Sequence, residues 1–376
     1  MNKLYKFIMM CLVFATPQLH AQAPDFMWAQ RVMNPSSGGY SGESHGGSVT
    51  FDDLGNTYVT GYFRGSITID QISLFSTGSI YTFDIFVAKY DASGNLLWLQ
   101  KAGGDDDDHG SAIAVDVSGN IYVTGRFKGT ATFGSTTLTS AGHRDIFVAK
   151  YDASGNVLWA QRAGGIDNDY SNDIVVDDLG NAFITGSFSY TASFGSATLT
   201  TTTTINNGVS DMFVAKYDAS GNVLWAQRAG GTGNEAGFSI ALNDLGSIYV
   251  TGYFQGTSTF GSTTLTNSGD DDIFVARFNS MGNVLWAQRA GGTYADLGSG
   301  IILDGSGNVY VTGRFKGTAT FGSITLTSAG DNDIFVAKYD ALGNVLWARR
   351  AGGSGSESST GISLDGSGNA YVTGSF

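Results

Sequence analysis

The side chains with the most chemical potential lie in one acidic run, Asp105, Asp106, Asp107 and Asp108, followed directly by His109. Adjacent carboxylates could bind a hard cation, and Ca²⁺, which takes oxygen ligands, is the cofactor they suggest. Equivalent stretches carry Asp167, Asp169, Asp173, Glu235, Asp296 and Glu357. Four consecutive carboxylates rarely match one ion's geometry, so a solvated, self-repelling rim is the simpler reading. His20, His45, His109 and His143 read as unrelated positions, and their spacing assembles neither a metal cluster nor a Ser/His/Asp set. The only cysteine, Cys11, falls in the N-terminal apolar run, so the remainder of the chain has no thiol or disulfide chemistry. These residues predict no catalytic site.

What must position them is a repeat. Asp145 to Gly165 reads DIFVAKYDASGNVLWAQRAGG, and near-identical text begins at Asp84, Asp211, Asp272 and Asp333. Trp28, Trp98, Trp159, Trp225, Trp286 and Trp347 occur once per unit, at spacings of 70, 61, 66, 61 and 61 residues. Such a period marks an array of equivalent supersecondary units. Each unit holds four short β-branched and aromatic runs, typified by IAVD (strand A), IYVTGRF (B), DIFVAKYD (C) and VLWAQRA (D). Asp-x-x-Gly-Asn joins A to B and C to D, where Asp can bond its own backbone and Gly can take positive φ. One carboxylate before the Gly is too few for a Ca²⁺ loop of the EF-hand kind. Between B and C lies a Thr-rich piece such as Gly129 to Gly142, whose alternation predicts an extra hairpin. B and C are apolar on both faces, which places them in sheets packed between other sheets. Four-stranded sheets stacked around an axis form a β-propeller. The expected fold is therefore all-β, a propeller of about six to seven four-stranded blades, each with a Thr-rich hairpin. Strands alternate in direction, so the D–A and B–C loops should share one face and the tight turns the other.

Composition agrees with many tight turns. Gly is 54 of 376 residues, about twice the usual ~7%, against three prolines and 42% hydrophobic residues. A net charge of −13 excludes the basic footprint of a nucleic-acid binder and disfavours an anionic membrane surface. Eleven of the 20 basic residues are repeat positions: Lys89, Lys150, Lys216, Arg277 and Lys338, and Arg31, Lys101, Arg162, Arg228, Arg289 and Arg350. Residues 1–21 read as a signal peptide, with Lys3 and Lys6 before the apolar run Phe7 to Ala15 and a small-residue exit at Ala21. That run is too short to span a bilayer. The expectation is a secreted or cell-surface chain, extracellular, with residues 22–376 as the repeat array and no membrane insertion once the signal is removed.

The pattern W-x-x-x-x-GG, I-x-x-D-x-x-GN-x-Y-V-T-G, then D-x-F-V-A-K-Y-D-x-x-GN resembles the SBBP-type bacterial β-propeller repeat, a relative of the NHL propellers. The resemblance runs from Asp25 to Phe376. Departures are an insertion at Thr200 to Ile205, Asn243 for the turn Asp, and Phe278-Asn279 for Tyr-Asp. It implies a secreted or surface-associated bacterial protein, without any shared activity. Ala88-x-x-Asp91-x-x-Gly94-x-x-x-Trp98 also resembles a tryptophan-docking motif of quinoproteins, but with shifted spacing and no vicinal cysteines. The repeated Trp98, Trp159, Trp225, Trp286 and Trp347 are expected as core or inter-blade wedges. The expected function is a non-catalytic scaffold or binding module for a protein or glycan, using the long-loop face. The alternatives are an exported hydrolase or quinoprotein-like enzyme and a purely structural repeat of a larger surface protein. The strand-D text at Asp25 to Arg31 lacks its A, B and C partners, and the last unit supplies only A and B. An open or gapped, incomplete ring is therefore expected.

Overall fold

The computed structural model describes residues 42–202 and 208–376. The signal segment and the expected strand at Asp25 to Arg31, with Trp28, lie outside the described residues.

Five four-stranded antiparallel blades follow one another, each in the order A-B-C-D. Blade 1 consists of Glu43–Phe51, Thr57–Arg64, Asp84–Tyr90 and Leu96–Ala102. Blade 2 consists of His109–Val115, Ile121–Phe133, Thr136–Tyr151 and Val157–Gly165. Blade 3 uses Tyr170–Val176, Ala182–Ser189, Ser210–Tyr217 and Val223–Gly231, and blade 4 Glu235–Leu242, Ile248–Phe254, Asp272–Phe278 and Val284–Gly292. Blade 5 uses Leu297–Leu303, Val309–Phe321, Ile324–Tyr339 and Val345–Ala351. An A–B pair, Ser358–Leu364 with Ala370–Ser375, follows it. Strand A packs against strand A of the next blade, so these innermost strands surround the axis. Among the described residues no strand pairing joins the last pair to blade 1.

Strand A starts earlier than its apolar run suggests. In blade 2 pairing begins at His109↔Arg126, passes a β-bulge between Gly110 and Ala112, and ends at Val115↔Ile121. The same bulge recurs in the other blades. Beside it, the strand-B threonine hydroxyl is buried and donates to a strand-C carbonyl, as from Thr124 to Phe147 O at 2.8 Å. That bond explains the Thr-Gly of each strand B.

The Asp-x-x-Gly-Asn turns form as their chemistry requires. Asp152 Oδ1 accepts the Ser154 and Asn156 amides at 2.9 Å, its Oδ2 accepts Asn156 Nδ2, and Gly155 sits at φ +84°. Asn243 and Asn279 make the same backbone contacts through Oδ1, so the replacements keep the turn.

The Thr-rich hairpins are present in all five described blades, and those of blades 2 to 5 join blades. The hairpin of one blade adds to strand D of the preceding one. Ala163, Gly164 and Gly165 of blade 2 pair with Phe194, Ser193 and Ala192 of blade 3, and Ala290 to Gly292 of blade 4 pair with Phe321 to Ala319 of blade 5. The core accordingly lies between blades. One apolar cluster spans blades 2 and 3 and includes Tyr122, Ile146, Val148, Ile184, Phe188, Phe194, Phe213 and Tyr217, all fully buried.

Candidate functional site

The D–A loops and B–C segments do share a face. Asp108 N donates to Phe83 O at 2.8 Å, Asp169 N to Arg144 O at 2.7 Å, and Asp296 N to Asp271 O at 2.8 Å, each tying a D–A loop to the residue before the first aspartate of the strand-C motif. The Asp-x-x-Gly-Asn turns occupy the opposite face.

On the loop face the acidic run divides instead of converging. Asp105 is exposed, Asp106 meets Lys128 Nζ at 3.2 Å, and Asp107 faces Arg144 at 3.6 Å. Asp108 turns inward and is fully buried. Among the described residues no three His, Cys, Asp or Glu side chains come together as metal ligands.

Two parts of the expected solvated rim need correction. Asp108, Asp169, Glu235, Asp296 and Glu357 are buried, each beside the first aspartate of the preceding blade's strand C: Asp84, Asp145, Asp211, Asp272 and Asp333 respectively. A loop carboxylate reads as solvated only while its backbone donors are out of view. Here Gly165 N and Ser189 N hold Asp169 at 2.7 and 3.0 Å. Asp173 belongs to strand A, where it accepts Ser239 Oγ and Ile240 N of the next blade at 2.9 Å. The strand-D cations then find their purpose: Arg162 meets Asp145 and Arg350 meets Asp333 at 2.6 Å, Lys101 meets Asp84 at 3.3 Å, and Arg228 and Arg289 pair with Asp211 and Asp272.

The tryptophans are wedges between blades, half-buried and not part of the core. Trp98 Nε1 donates to Ala153 O at 3.2 Å, Trp159 to Ala219 O at 3.1 Å, Trp225 to Ser280 O and Trp286 to Ala341 O at 3.2 Å. Each ring lies against the turn glycine of the following blade; a methyl on Gly221 would stand 2.8 Å from Trp159. Trp347 meets Tyr310 edge-on at 5.9 Å. Thus Trp98 serves blade docking, against the Asp152-x-x-Gly155 turn of the next blade. Trp159→Phe, which removes only the N–H donor and some area, should destabilise the chain by about 1 kcal/mol in urea titration.

The feature that sequence reasoning missed is a register position just above the bulge, where every blade presents a different pair. The pairs are His45↔Tyr62, His109↔Arg126, Tyr170↔Ser187, Ala236↔Tyr253 and Leu297↔Arg314. His45 and His109 are therefore equivalent residues. The signal was available, since each precedes Gly at the start of strand A, but unequal loop lengths displace it from the repeat period. Tyr62 stacks between them, its centroid 4.8 Å from His45 and 3.9 Å from His109, with Phe83 edge-on. Arg126 bonds His109 Nδ1 at 3.0 Å and lies 5.4 Å over Tyr170. A guanidinium can only donate, so Nδ1 is the acceptor. Burial, and then the Arg126 charge, lower the His109 pKa to about 4, so the ring is neutral near pH 7.

Tyr170 continues this ladder into a cavity of about 430 Å³ between blades 3 and 4. Phe238 and Tyr253 supply further aromatic surface, their rings 5.4 Å apart, and Asp167, Asn168 and Asn172 supply polar edges. Such a mixture can orient a ligand by stacking and hydrogen bonding.

Comparison with known proteins places this geometry. Residues 158–187, 285–314 and 346–375 match the SBBP β-propeller repeat. An uncharacterized WD repeat-containing protein of Acanthamoeba polyphaga mimivirus is 25% identical over 93% of this chain, which spans 31% of that relative's length. Among solved structures, the Neurospora crassa Pan2 WD40 domain aligns over 88% of this chain and 86% of its own, at 12% identity and a TM-score of 0.42. A gluconolactonase of Xanthomonas campestris aligns over 92% and 97%, at 12% identity and a TM-score of 0.37. Each matched segment begins in a strand D and runs through the following A and B, across a blade junction, so the SBBP β-propeller repeat is matched at three places in the chain.

Proposed function

We propose that the chain is a non-catalytic binding module, secreted or displayed at the cell surface, that engages a protein or glycan through its loop face. The observation that carries this reading is the inequality of the faces. One repeats the same Asp- or Asn-led turns, while the other gathers the unit-specific residues His45, Tyr62, His109, Arg126, Tyr170 and Tyr253 into adjoining surfaces. Both ladder histidines already have partners: His45 bonds Glu43 at 2.7 Å, and His109 is held by Arg126. That arrangement favours recognition over acid–base turnover.

The test is retention of cell-surface proteins and released glycans on the immobilised, folded chain. Tyr170→Ala with Tyr253→Ala should reduce retention at least tenfold. Leu158→Ala with Leu224→Ala, at exposed strand-D positions, should leave it unchanged. Equal retention by the loop-face variant would reject the assignment of the face, and no retention by the parent chain would favour a purely structural repeat.

A further inference from the structure

At every junction between described blades, one buried carboxylate oxygen accepts no N–H or O–H donor. These are Oδ1 of Asp84, Asp145, Asp211, Asp272 and Asp333, all in residues with no solvent exposure. Each belongs to an acid that lies beside the second acid of its pair. A methyl on Gly103 would stand 2.6 Å from Asp84 Oδ1 and 2.9 Å from Asp108 Oδ2, and one on Gly291 2.6 Å from Asp272 Oδ1 and 3.0 Å from Asp296 Oδ2. In the first four pairs the remaining oxygens are occupied. In the first pair, Asp84 Oδ2 accepts Thr77 N at 2.7 Å and faces Lys101, while Asp108 accepts Gly104 N at 2.7 Å and Lys128 N at 3.2 Å. A cation would find one free oxygen, too few for a metal site. A carboxyl O–H answers both demands at once: it still accepts the glycine N–H and donates to the orphaned oxygen.

We propose that each of the first four blade junctions is latched by a single proton held between its two buried carboxyls, so that these joints weaken as that proton is lost to solvent in alkali. The surrounding charges are consistent with one proton per pair. Lys101, Arg162, Arg228 and Arg289 each balance one negative charge on the strand-C aspartate, leaving the second acid neutral. Asp106 beside Asp108, Asp167 beside Asp169 and Asp271 beside Asp272 add like charge that favours retention of the proton. Glu235 also receives Ser258 Oγ and faces Tyr253. Burial, ahead of these charges, raises the pKa of Asp108 and Glu235 to about 8 and of Asp169 and Asp296 to about 7. A folded-state pKa raised above its unfolded value contributes stability that is full below the unfolded pKa and lost as pH rises through the folded one. The window therefore runs from about 4 to about 8.

The experiment is urea unfolding of the whole chain between pH 5 and 9, with infrared detection of the protonated-acid C=O band in D₂O. Each latch should raise the unfolding constant up to about tenfold per pH unit within its window. In Asp145→Asn and Asp272→Asn the amide N–H₂ takes the place of the orphaned oxygen and donates to an ionised Asp169 or Asp296. Each substitution should remove up to about tenfold per pH unit from the slope and diminish the acid band. An unchanged slope in the double variant, or no acid band in the parent chain at pH 6, would overturn the proposal. So would millimolar Ca²⁺ that abolishes the band and raises stability, since a cation would then occupy the joint. Should either variant fail to fold, Asp169→Asn and the band of the parent chain supply the same two readouts.

Discussion

Phe213→Ala should destabilise the chain by about 3–5 kcal/mol, seen as a lower urea midpoint with an unchanged slope. Phe213 is fully buried, and its ring lies 4.8 Å from that of Phe194, which belongs to the hairpin that reaches back to blade 2. Truncation opens a cavity where a blade sheet meets a hairpin in one apolar cluster. Neither rigid sheet can collapse into that space, so the upper part of the range is expected. Phe213→Leu keeps most of the volume and should cost no more than about 1.5 kcal/mol. The same arrangement recurs as Phe133 with Phe147 and Phe260 with Phe274, at 4.8 and 4.9 Å, so Phe147→Ala and Phe274→Ala should behave alike. A loss at Phe213 below that of Trp159→Phe would contradict the placement of the core.

That comparison shows where the sequence was readable. The period, the four strands, the turns and the shared face of the loops were all legible, because each rests on residues adjacent in the chain. Contacts between units were not. Trp159 read as either a core residue or an inter-blade wedge because it is large and recurs once per unit, and only the bond from its indole to Ala219, 60 residues away, decides for the wedge. Asp169 looked solvated because nothing near it in sequence reveals that Asp145 and Gly165 close over it. His45 and His109 looked unrelated because the loop between blades 1 and 2 shifts the period. What sequence periodicity hides is therefore what distinguishes one blade from another. The ladder from His45 to Tyr170 uses positions that fold identically but carry different side chains. Positions free to vary inside so regular a scaffold are where specificity can reside without disturbing the blades.

The Gly-Gly that closes each unit illustrates a residue type whose reason appears only in three dimensions. Gly164, at φ +136°, leaves the room that Asp145 and Asp169 fill; a methyl there would lie 2.7 Å from Asp169 Oδ2. Gly165 faces the neighbouring hairpin, and a methyl on it would lie 1.8 Å from Thr191 O. The same clash recurs at Gly104, Gly231 and Gly292, where the obstructing atoms are Thr130 O, Thr257 O and Thr318 O at 1.7, 1.8 and 1.9 Å. A backbone carbonyl cannot rotate away as a side chain can, so the hairpin itself must move. Gly165→Ala should therefore destabilise the chain by about 1–3 kcal/mol, toward the upper end, by parting strand D of blade 2 from the hairpin of blade 3. Amide exchange should accelerate at Ala192 and Phe194, which lie opposite Gly165 and Ala163. Gly305→Ala is the control, because nothing lies within 4 Å of a methyl there, and it should stay within about 0.5 kcal/mol of the parent chain. If Gly165→Ala matched Gly305→Ala in urea midpoint and exchange, the hairpin would not be what stitches one blade to the next.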